Sequence, residues 1–172
     1  MKGQAHGRVE ALVAARGRDL SRFAYVLAGH DAEDILQSVV VRLLSSGPFL
    51  RADDPYAYAR KAVLNEFLDR RRSLGRRASA RWFAVRDIEP VPSPEPAIAE
   101  RDALMRAFSI LKPRERACVV MRYYVDADDR TIAEALGVAP STVRSLISRA
   151  MPRLRAALVE AEGLIDLAGE AK

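Results

Sequence analysis

The sequence has few of the side chains on which metal and redox chemistry depends. Its 172 residues include one cysteine, Cys118, and two histidines, His6 and His30, which lie far apart. One cysteine excludes an internal disulfide framework, and two distant histidines form no metal-binding cluster. Because small apolar residues surround Cys118 on a predicted helix, we expect a buried thiol with no redox or ligand role.

Catalytic motifs and long apolar segments are absent as well. The sequence contains no glycine-rich phosphate loop, no nucleophile elbow and no carboxylate cluster suited to metal-assisted chemistry. We therefore expect a protein that is not an enzyme and has no cofactor, metal or small-molecule substrate. The N-terminus lacks the apolar core of a signal peptide, and no apolar run approaches the roughly 20 residues of a membrane span. These absences predict a cytoplasmic protein without membrane insertion.

Positive charge, by contrast, is abundant and clustered. The 28 basic and 23 acidic residues give a net charge of +5 and a sequence pI near 9.7, which suits a polyanionic partner. The basic residues crowd into two stretches of the chain: Arg70, Arg71, Arg72, Arg76, Arg77 and Arg81 in the first, and Arg144, Arg149, Arg153 and Arg155 in the second. Two separate patches predict two separate contacts.

The segment 129–155 predicts a helix-turn-helix. Ala133 is small where two helices must cross closely, Gly137 follows four positions later, and the aliphatic Val143 follows six positions after that. Gly137 tolerates the positive φ that a sharp turn demands. An amphipathic helix pair without a DNA role has the same inward pattern, so the outward face has to distinguish the two interpretations.

The outward face of the second helix is polar and basic. We expect Asp128 or Asp129 to cap the first helix and Ser141 or Thr142 to cap the second, while Pro152 should kink or restart the second helix near Ala150. The residues that project toward DNA are Ser141, Thr142, Arg144, Ser145, Ser148 and Arg149. No carboxylate interrupts this face, which favours contact with base edges and phosphates.

Hydrophobic spacing predicts helices along almost the whole chain. We expect a helix over 8–27 that Gly17 loosens or splits, then a helix capped by Asp31 that ends at Gly47-Pro48. A loop over 49–53 should lead to a long helix, with Asp54 as its cap and Pro55 as its first residue.

The proline at every second position of 91–96 forbids a helix and indicates a stiff linker. The prediction is therefore an all-α fold of two small helical domains, 1–85 and 97–172, joined by a proline-rich linker at 86–96. The C-terminal domain contains the helix-turn-helix.

Both halves resemble the extracytoplasmic-function sigma factors of RNA polymerase. The first half resembles their region 2 in LSRFAY (20–25), DAEDILQ (31–37), PYAYAR (55–60) and NEFLDRRR (65–72). The second half resembles their region 4 in LKPRER (111–116), RYY (122–124), IAEALG (132–137) and TVRS (142–145). The order of the two halves around a short linker adds to the resemblance. Arg81-Trp82, where the chain approaches the linker, resembles the sequence of an actinobacterial, SigE-like subgroup.

The resemblance implies a protein that binds core RNA polymerase and directs it to promoter DNA, where it is nucleoid-associated in the holoenzyme. An anti-sigma factor is a further candidate partner. Region 2 is expected to dock on polymerase through Asp34 and Gln37, while Arg42 of the same face is equally well explained as a solvated residue. The residues expected at the minus-ten element are Asn65, near an unstacked base, and Arg60, Lys61, Arg70, Arg71 and Arg72, on phosphates. The outward face of the helix-turn-helix is expected at the minus-thirty-five element.

Two other classes of protein remain to be weighed. The alternative is a stand-alone dimeric helix-turn-helix regulator. The sequence has no sensor domain or evident dimer helix, and this interpretation leaves the basic first half unexplained. A nucleic-acid-modifying enzyme would need a carboxylate cluster that the sequence lacks. Aromatic residues of the first half are candidates for stacking on bases, although aromatics at helical spacing are more often core: Tyr56, Tyr58, Phe67, Trp82 and Phe83.

Overall fold

The structure is a computed structural model that describes residues 2–78 and 96–170, with side chains described for 3–74 and 103–160. These parts consist of helices and connecting turns, which confirms the all-α prediction. The helices are α1 (Lys2–Ala28), α2 (Ala32–Leu44), α3 (Gly47–Leu50), α4 (Pro55–Ala78), α5 (Pro96–Ser109), α6 (Pro113–Tyr123), α7 (Asp129–Leu136) and α8 (Pro140–Glu170).

The chain packs as two units, residues 1–75 and 76–172. The predicted domain boundary at 85 and most of the predicted linker at 86–96 lie outside the described residues, and α5 already begins at Pro96. The exact limits of the two domains therefore stay a prediction. The six-residue proline pattern at 91–96 is likewise outside the described residues, apart from Pro96 itself.

The N-terminal unit is built around fully buried aromatic rings. Phe23 of α1, Phe49 of α3 and Phe67 of α4 are each at most 2% exposed, and the aliphatic side chains of α2 at Ile35, Val39 and Leu43 are buried as well. The apolar spacing over 8–27 also predicts a buried Val13, but this residue is 49% exposed. Gly17 does not split α1, because packing of the flanking turns outweighs the roughly 1 kcal/mol cost of a helical glycine.

The predicted start of α4 is confirmed. The Asp54 carboxylate accepts hydrogen bonds from the backbone N–H groups of Tyr56 and Ala57, both at 2.9 Å, and Pro55 is the first helical residue. Its carboxylate therefore satisfies two donors that the first turn of a helix leaves without intrahelical partners.

Helix α2 starts directly after Asp31, as predicted, but the predicted capping bond and the predicted end of the helix are wrong. Asp31 makes no capping hydrogen bond, because it lies in a 3₁₀ turn (Gly29–Asp31) with helical backbone angles and its carboxylate pairs with Arg71. The helix ends at Leu44, before Gly47-Pro48, and part of the predicted loop 49–53 belongs to α3. The Ser46 hydroxyl caps this short helix, and Pro48 suits its first turn because its φ is already helical.

In the C-terminal unit, α5, α6 and α7 each pack against α8. The Asp128 carboxylate caps α7 by accepting from Thr131 N–H at 2.7 Å, and this backbone hydrogen bond lowers the pKa of Asp128. Gly137 ends α7 with φ 63° and ψ 42°, as predicted. The prediction that Ser141 or Thr142 caps the next helix is wrong, because Pro140 already begins α8 and the Ala139 carbonyl accepts the first bond.

Pro152 does not end or restart α8, which runs from Pro140 to Glu170. The predicted restart near Ala150 is therefore wrong, whereas the alternative, a kink of the helix there, stays a prediction. Ala150 and Leu154 are both buried, so the turns on either side of the proline pack into one core, and this packing offsets the local cost of the missing hydrogen bond. The backbone stays helical to Glu170.

The buried position predicted for Cys118 is confirmed, since its side chain is fully covered within α6. Burial raises the pKa of the Cys118 thiol to about 11, so the thiolate is scarce at neutral pH.

We expect the Cys118 thiol of the native protein to resist an aromatic disulfide reagent at pH 8 and to react fully in guanidinium. Because the pKa is higher in the folded state, stability should fall as pH rises above the ordinary value of 9.0. Rapid labelling of the native thiol would contradict this burial.

Candidate nucleic-acid interface

The six residues predicted to face DNA lie together on the N-terminal half of α8. Each side chain is exposed, and together they line one open, shallow depression: Ser141, Thr142, Arg144, Ser145, Ser148 and Arg149. The opposite side of the same turns carries Val143 and Ala150, which are fully buried against the rest of the unit. Burial of this apolar side fixes which residues face outward. We call the exposed set the α8 face.

Hydrogen bonds order part of the α8 face. The Ser145 hydroxyl donates to the carbonyl of Ser141 at 3.0 Å, and Arg149 Nε donates to the carbonyl of Ser145 at 3.2 Å. Arg144 is different because its Nη1 donates to the carboxylate of Asp129, the first residue of α7, at 3.2 Å. An acid of the neighbouring helix thus lies against a face that carries no acid of its own.

The α2 residues predicted to dock on polymerase are exposed. The Asp34 side chain is 73% exposed, and Gln37 lies on the same face one turn later. Val41, another turn along, is 68% exposed, which is unusual for a valine on a packed helix. Arg42 is held differently, because its guanidinium pairs with Glu66 of α4. The sequence analysis did not single out Val41, although its position four residues after Gln37 places it on the same face of the helix.

The residues predicted to contact the minus-ten element fall into two groups. Lys61, Asn65 and Arg72 are exposed along α4, and Arg72 pairs with Asp69 on its own helix at 3.3 Å. The spacing of Lys61 and Asn65, four residues apart, places both side chains on one side of the helix. These three side chains stand in solvent, where a nucleic acid can reach them.

The other three are engaged within the protein. Arg70 of α4 donates to the Ser38 hydroxyl at 2.7 Å and to the Asp34 carbonyl at 3.0 Å, and so joins α4 to α2. Arg71 pairs with Asp31 at 3.0 Å. The Arg60 guanidinium lies 4.8 Å from the centre of the Tyr56 ring. The resemblance by itself did not distinguish these arginines from the exposed ones.

Glu66 of α4 holds the contact between α2 and α4 together. The sequence analysis did not identify Glu66 as a candidate residue. Its side chain is 12% exposed and its two oxygens accept from Arg70 on one side and Arg42 on the other. Burial raises the pKa of Glu66, but the hydrogen bonds from Arg70 and Arg42 outweigh it, so the net pKa lies below its ordinary value. Glu66 is therefore ionised at neutral pH and binds two cations.

The described aromatic residues of the N-terminal unit are occupied by protein contacts. The Tyr56 ring has the guanidinium groups of both Arg16 and Arg60 over it, with Arg16 at 4.1 Å from the ring centre. The Tyr58 ring packs on Phe49 with centroids 5.7 Å apart, and Phe67 is buried. These contacts favour a structural role for Tyr56, Tyr58 and Phe67. Trp82 and Phe83, the other candidates for stacking, lie outside the described residues.

Within the described parts of the chain, no group of three or more histidine, cysteine or acidic side chains is placed to hold a metal ion. None of the described helices combines the length and apolar character that crossing a bilayer requires. Apart from Asp34, the predicted site residues are basic, hydroxyl-bearing or amide side chains. Such groups bind phosphate oxygens and base edges without bond-making chemistry.

Comparison with known proteins shows which family the chain resembles. Residues 12–77 match the model for sigma-70 region 2, and residues 101–154 match the model for sigma-70 region 4. The RNA polymerase sigma-E factor of Streptomyces avermitilis is 31% identical over 168 residues, which cover 88% of this chain and 87% of that protein. The ECF RNA polymerase sigma factor SigE of Mycolicibacterium smegmatis is 31% identical over 153 residues, covering 85% of this chain and 60% of that one.

Solved structures give the same fold. The sigma factor RpoE of Bartonella quintana, in complex with the anti-sigma factor NepR, has a TM-score of 0.69 at 21% identity, covering 87% of this chain and 95% of that chain. CnrH, in complex with the cytosolic domain of CnrY, has a TM-score of 0.57 at 20% identity, covering 92% and 97%.

The chain thus belongs to the sigma-70 family of RNA polymerase sigma factors. Within this family it is an extracytoplasmic-function sigma factor of the sigma-E type, as the resemblance indicated. Such a protein binds core RNA polymerase and promoter DNA and acts in transcription initiation. The alternative of a stand-alone dimeric regulator is not favoured, because the N-terminal unit matches region 2, which that alternative leaves without a role.

Proposed function

We propose that the two units divide promoter recognition between them. The N-terminal unit, 1–85 in our division, docks on core polymerase and engages the minus-ten element, and the C-terminal unit, 97–172, reads the minus-thirty-five element. The observation that carries this proposal is the α8 face, on which six exposed hydroxyl and basic residues share one surface. Polymerase supplies the catalytic centre, and this protein, acting in the cytoplasm and on the nucleoid within the holoenzyme, carries out no chemistry itself.

Docking of the α8 face in the major groove follows from its position. It occupies the first turns of the second helix of a helix-turn-helix, the part of that motif that meets base edges. Arg144, near the helix start, is suited to a guanine edge, and Arg149, held to the Ser145 carbonyl, is suited to a phosphate. Ser141, Thr142, Ser145 and Ser148 add short donors and acceptors around the two arginines.

For the minus-ten element, exposure ranks the six candidate residues. Asn65 and Lys61 share a side of α4, which supports direct contact with an unstacked base and its backbone, and Arg72 extends the same exposed surface. Arg60, Arg70 and Arg71 bind protein groups, so we assign them to holding α4 in position, with their remaining donors turned to phosphates. This division refines the role that the resemblance implies for these arginines.

Asn65→Ala should lower open-complex formation more than closed-complex binding. The side chain is exposed and makes a small contribution to packing, so the protein should fold normally. The measurement is permanganate footprinting of the melted region beside gel-shift binding of the closed complex at low temperature. Asp69→Ala, at an exposed position one turn later on α4, is the control. Unchanged permanganate reactivity in Asn65→Ala would place the base pocket elsewhere.

Docking on core polymerase through α2 is proposed for Asp34 and Gln37. Asp34→Ala combined with Gln37→Ala should weaken core binding about tenfold, since truncating a central interface residue typically costs more than about 1 kcal/mol. Both side chains are exposed, so the melting temperature should stay close to that of the wild type. Fluorescence titration with core polymerase measures the loss, and Glu10→Ala, an exposed acid of α1, is the control. Wild-type affinity in the double mutant would remove both residues from the docking surface.

An anti-sigma factor is proposed as a further partner. The support is that the RpoE neighbour was solved in complex with the anti-sigma factor NepR. Inhibition of holoenzyme formation by a purified anti-sigma factor that binds this protein would support the proposal, and the absence of such inhibition would count against it.

Run-off transcription tests the function as a whole. Core polymerase with this protein should initiate from a cognate promoter, whereas core polymerase alone should not. The protein alone should bind promoter duplex poorly. Tight, dimeric binding of duplex in the absence of polymerase, together with no run-off product, would contradict the division of function proposed here.

A further inference from the structure

A single carboxylate joins three helices beside the α8 face. Asp129, at the start of α7, accepts a hydrogen bond from Arg122 of α6 through Oδ1 and one from Arg144 of α8 through Oδ2, the latter at 3.2 Å. The Asp129 side chain is 27% exposed, whereas that of Arg144 is 64% exposed. Asp129 is therefore the more buried partner, and the Arg144 side chain is the partner that reaches the proposed DNA-facing surface.

The geometry leaves Arg144 able to bind a base. A guanidinium group has five N–H donors in a planar fork, and Asp129 accepts from only one nitrogen, Nη1. The edge formed by Nε and Nη2 is not used by Asp129. A guanine presents two acceptors, O6 and N7, at the spacing of such an edge. Asp129 thus restrains one side of the fork and leaves another side for the base.

Arg122 explains why the restraint is firm. A lone carboxylate at a helix start would be free to choose among solvent, its own backbone N–H groups and Arg144. Capping of α7 is already provided by Asp128, so Asp129 is not needed for that task. Its first oxygen is instead bound by Arg122, a partly buried arginine, which fixes the direction of the second oxygen toward Arg144.

We propose that Asp129 is a positioning residue that orients Arg144 for the edge of a guanine-class base and so sets sequence preference at the minus-thirty-five element. This inference rests on the proposed function of the α8 face. Restraint before binding reduces the rotamer freedom that Arg144 loses on DNA. The carboxylate also offsets part of the charge of Arg144, which limits its attraction to phosphates of any sequence.

Asp129→Asn tests the inference in the full chain assembled with core polymerase. The holoenzyme is bound to a promoter library randomised across the minus-thirty-five element. Arg144→Ala should abolish the preference that Arg144 provides, which for a bidentate contact is about 5- to 150-fold. Asp129→Asn should reduce the same preference at the same positions by about threefold to tenfold, while affinity for disfavoured sequences stays equal or rises.

The double mutant separates positioning from a merely structural role. If Asp129 acts through Arg144, Asp129→Asn combined with Arg144→Ala should have the sequence preference of Arg144→Ala alone. Glu134→Gln is the matched control, because it removes one negative charge from the exposed side of the same helix, where Glu134 pairs with Arg130. The control should leave sequence preference unchanged.

Three results would overturn the inference: a uniform loss of affinity in Asp129→Asn, a uniform gain without loss of preference, or additive effects in the double mutant. If Asp129→Asn loses helical content by circular dichroism, Arg122→Gln replaces it, and the same non-additivity with Arg144→Ala is required. Should Arg144→Ala itself leave the preference intact, the proposed base-reading role of the α8 face fails. If Arg144→Ala loses the preference but Asp129→Asn keeps it, the positioning role of Asp129 is wrong while the base-reading role of the α8 face stands.

Discussion

Arg144→Ala is expected to relax promoter preference at one or two positions of the minus-thirty-five element. A bidentate arginine contributes roughly 1 to 3 kcal/mol of discrimination between the right and wrong base. The fold should be unaffected, because Arg144 is exposed and Asp129 keeps Arg122 as a partner when Arg144 is removed. Selection from a library randomised over this element, with the holoenzyme, measures the change as a flattened base preference.

Arg149→Ala is the matched comparison on the same face. Its Nε is held by the Ser145 carbonyl, so the remaining donors are placed for a phosphate rather than for a base. Removing Arg149 should weaken binding about equally on all sequences. It should also reduce the slope of log affinity against log salt concentration by about one. If Arg144→Ala instead lost affinity uniformly and kept the same preferred sequence, Arg144 would position the protein on the backbone without reading bases.

Glu66→Gln is expected to have the largest effect on stability. Glutamine has nearly the same shape but loses the two charge-assisted interactions with Arg42 and Arg70. Because both arginines are partly exposed, we discount the pair for solvent screening and expect a loss of about 1 to 3 kcal/mol. For a unit of this size each kcal/mol lowers the melting temperature by about 4 to 8 °C.

The stability effect should depend on pH in one direction. The pKa of Glu66 is lower in the folded state, so its contribution is complete above the ordinary value of 4.5 and is lost as pH falls through the folded value. The difference in melting temperature between wild type and Glu66→Gln should therefore be full at pH 7 and shrink in acid. Glu33→Gln, at an exposed acid of α2, is the control and should shift melting little. A difference that stays constant down to pH 3 would show that the charge of Glu66 is not what stabilises the contact.

Glu66 also links stability to function. Through Arg70 and Arg42 it connects α4, with its proposed minus-ten residues, to α2, with its proposed polymerase-docking residues. Loosening this contact should impair open-complex formation as well as folding. Two members of the arginine cluster on α4, Arg70 and Arg71, thus have a structural role, because they bind Ser38 and Asp31 outside α4.

Local features of this protein were readable from its sequence alone. The helical period of apolar residues indicated the all-α fold, and Asp54-Pro55 and Gly137 marked a helix start and a helix end because their backbone chemistry acts within a few residues. The α8 face was predictable for the same reason. Residues three and four apart lie on one side of a helix, so the buried Val143 and Ala150 determine that their neighbours face outward.

Contacts between helices were decided only by the tertiary structure. Arg70 meets the Asp34 carbonyl across 36 positions of sequence, and Arg71 meets Asp31 across 40. No local pattern encodes these distances, because they depend on how the helices pack. For the same reason the sequence predicted a capping bond from Asp31 and a kink or restart at Pro152. In the structure Asp31 instead pairs with Arg71 of α4, and α8 continues through Pro152 with buried residues on either side. Asp129, which is 15 positions from Arg144, became visible as its partner only once α7 and α8 were seen to cross.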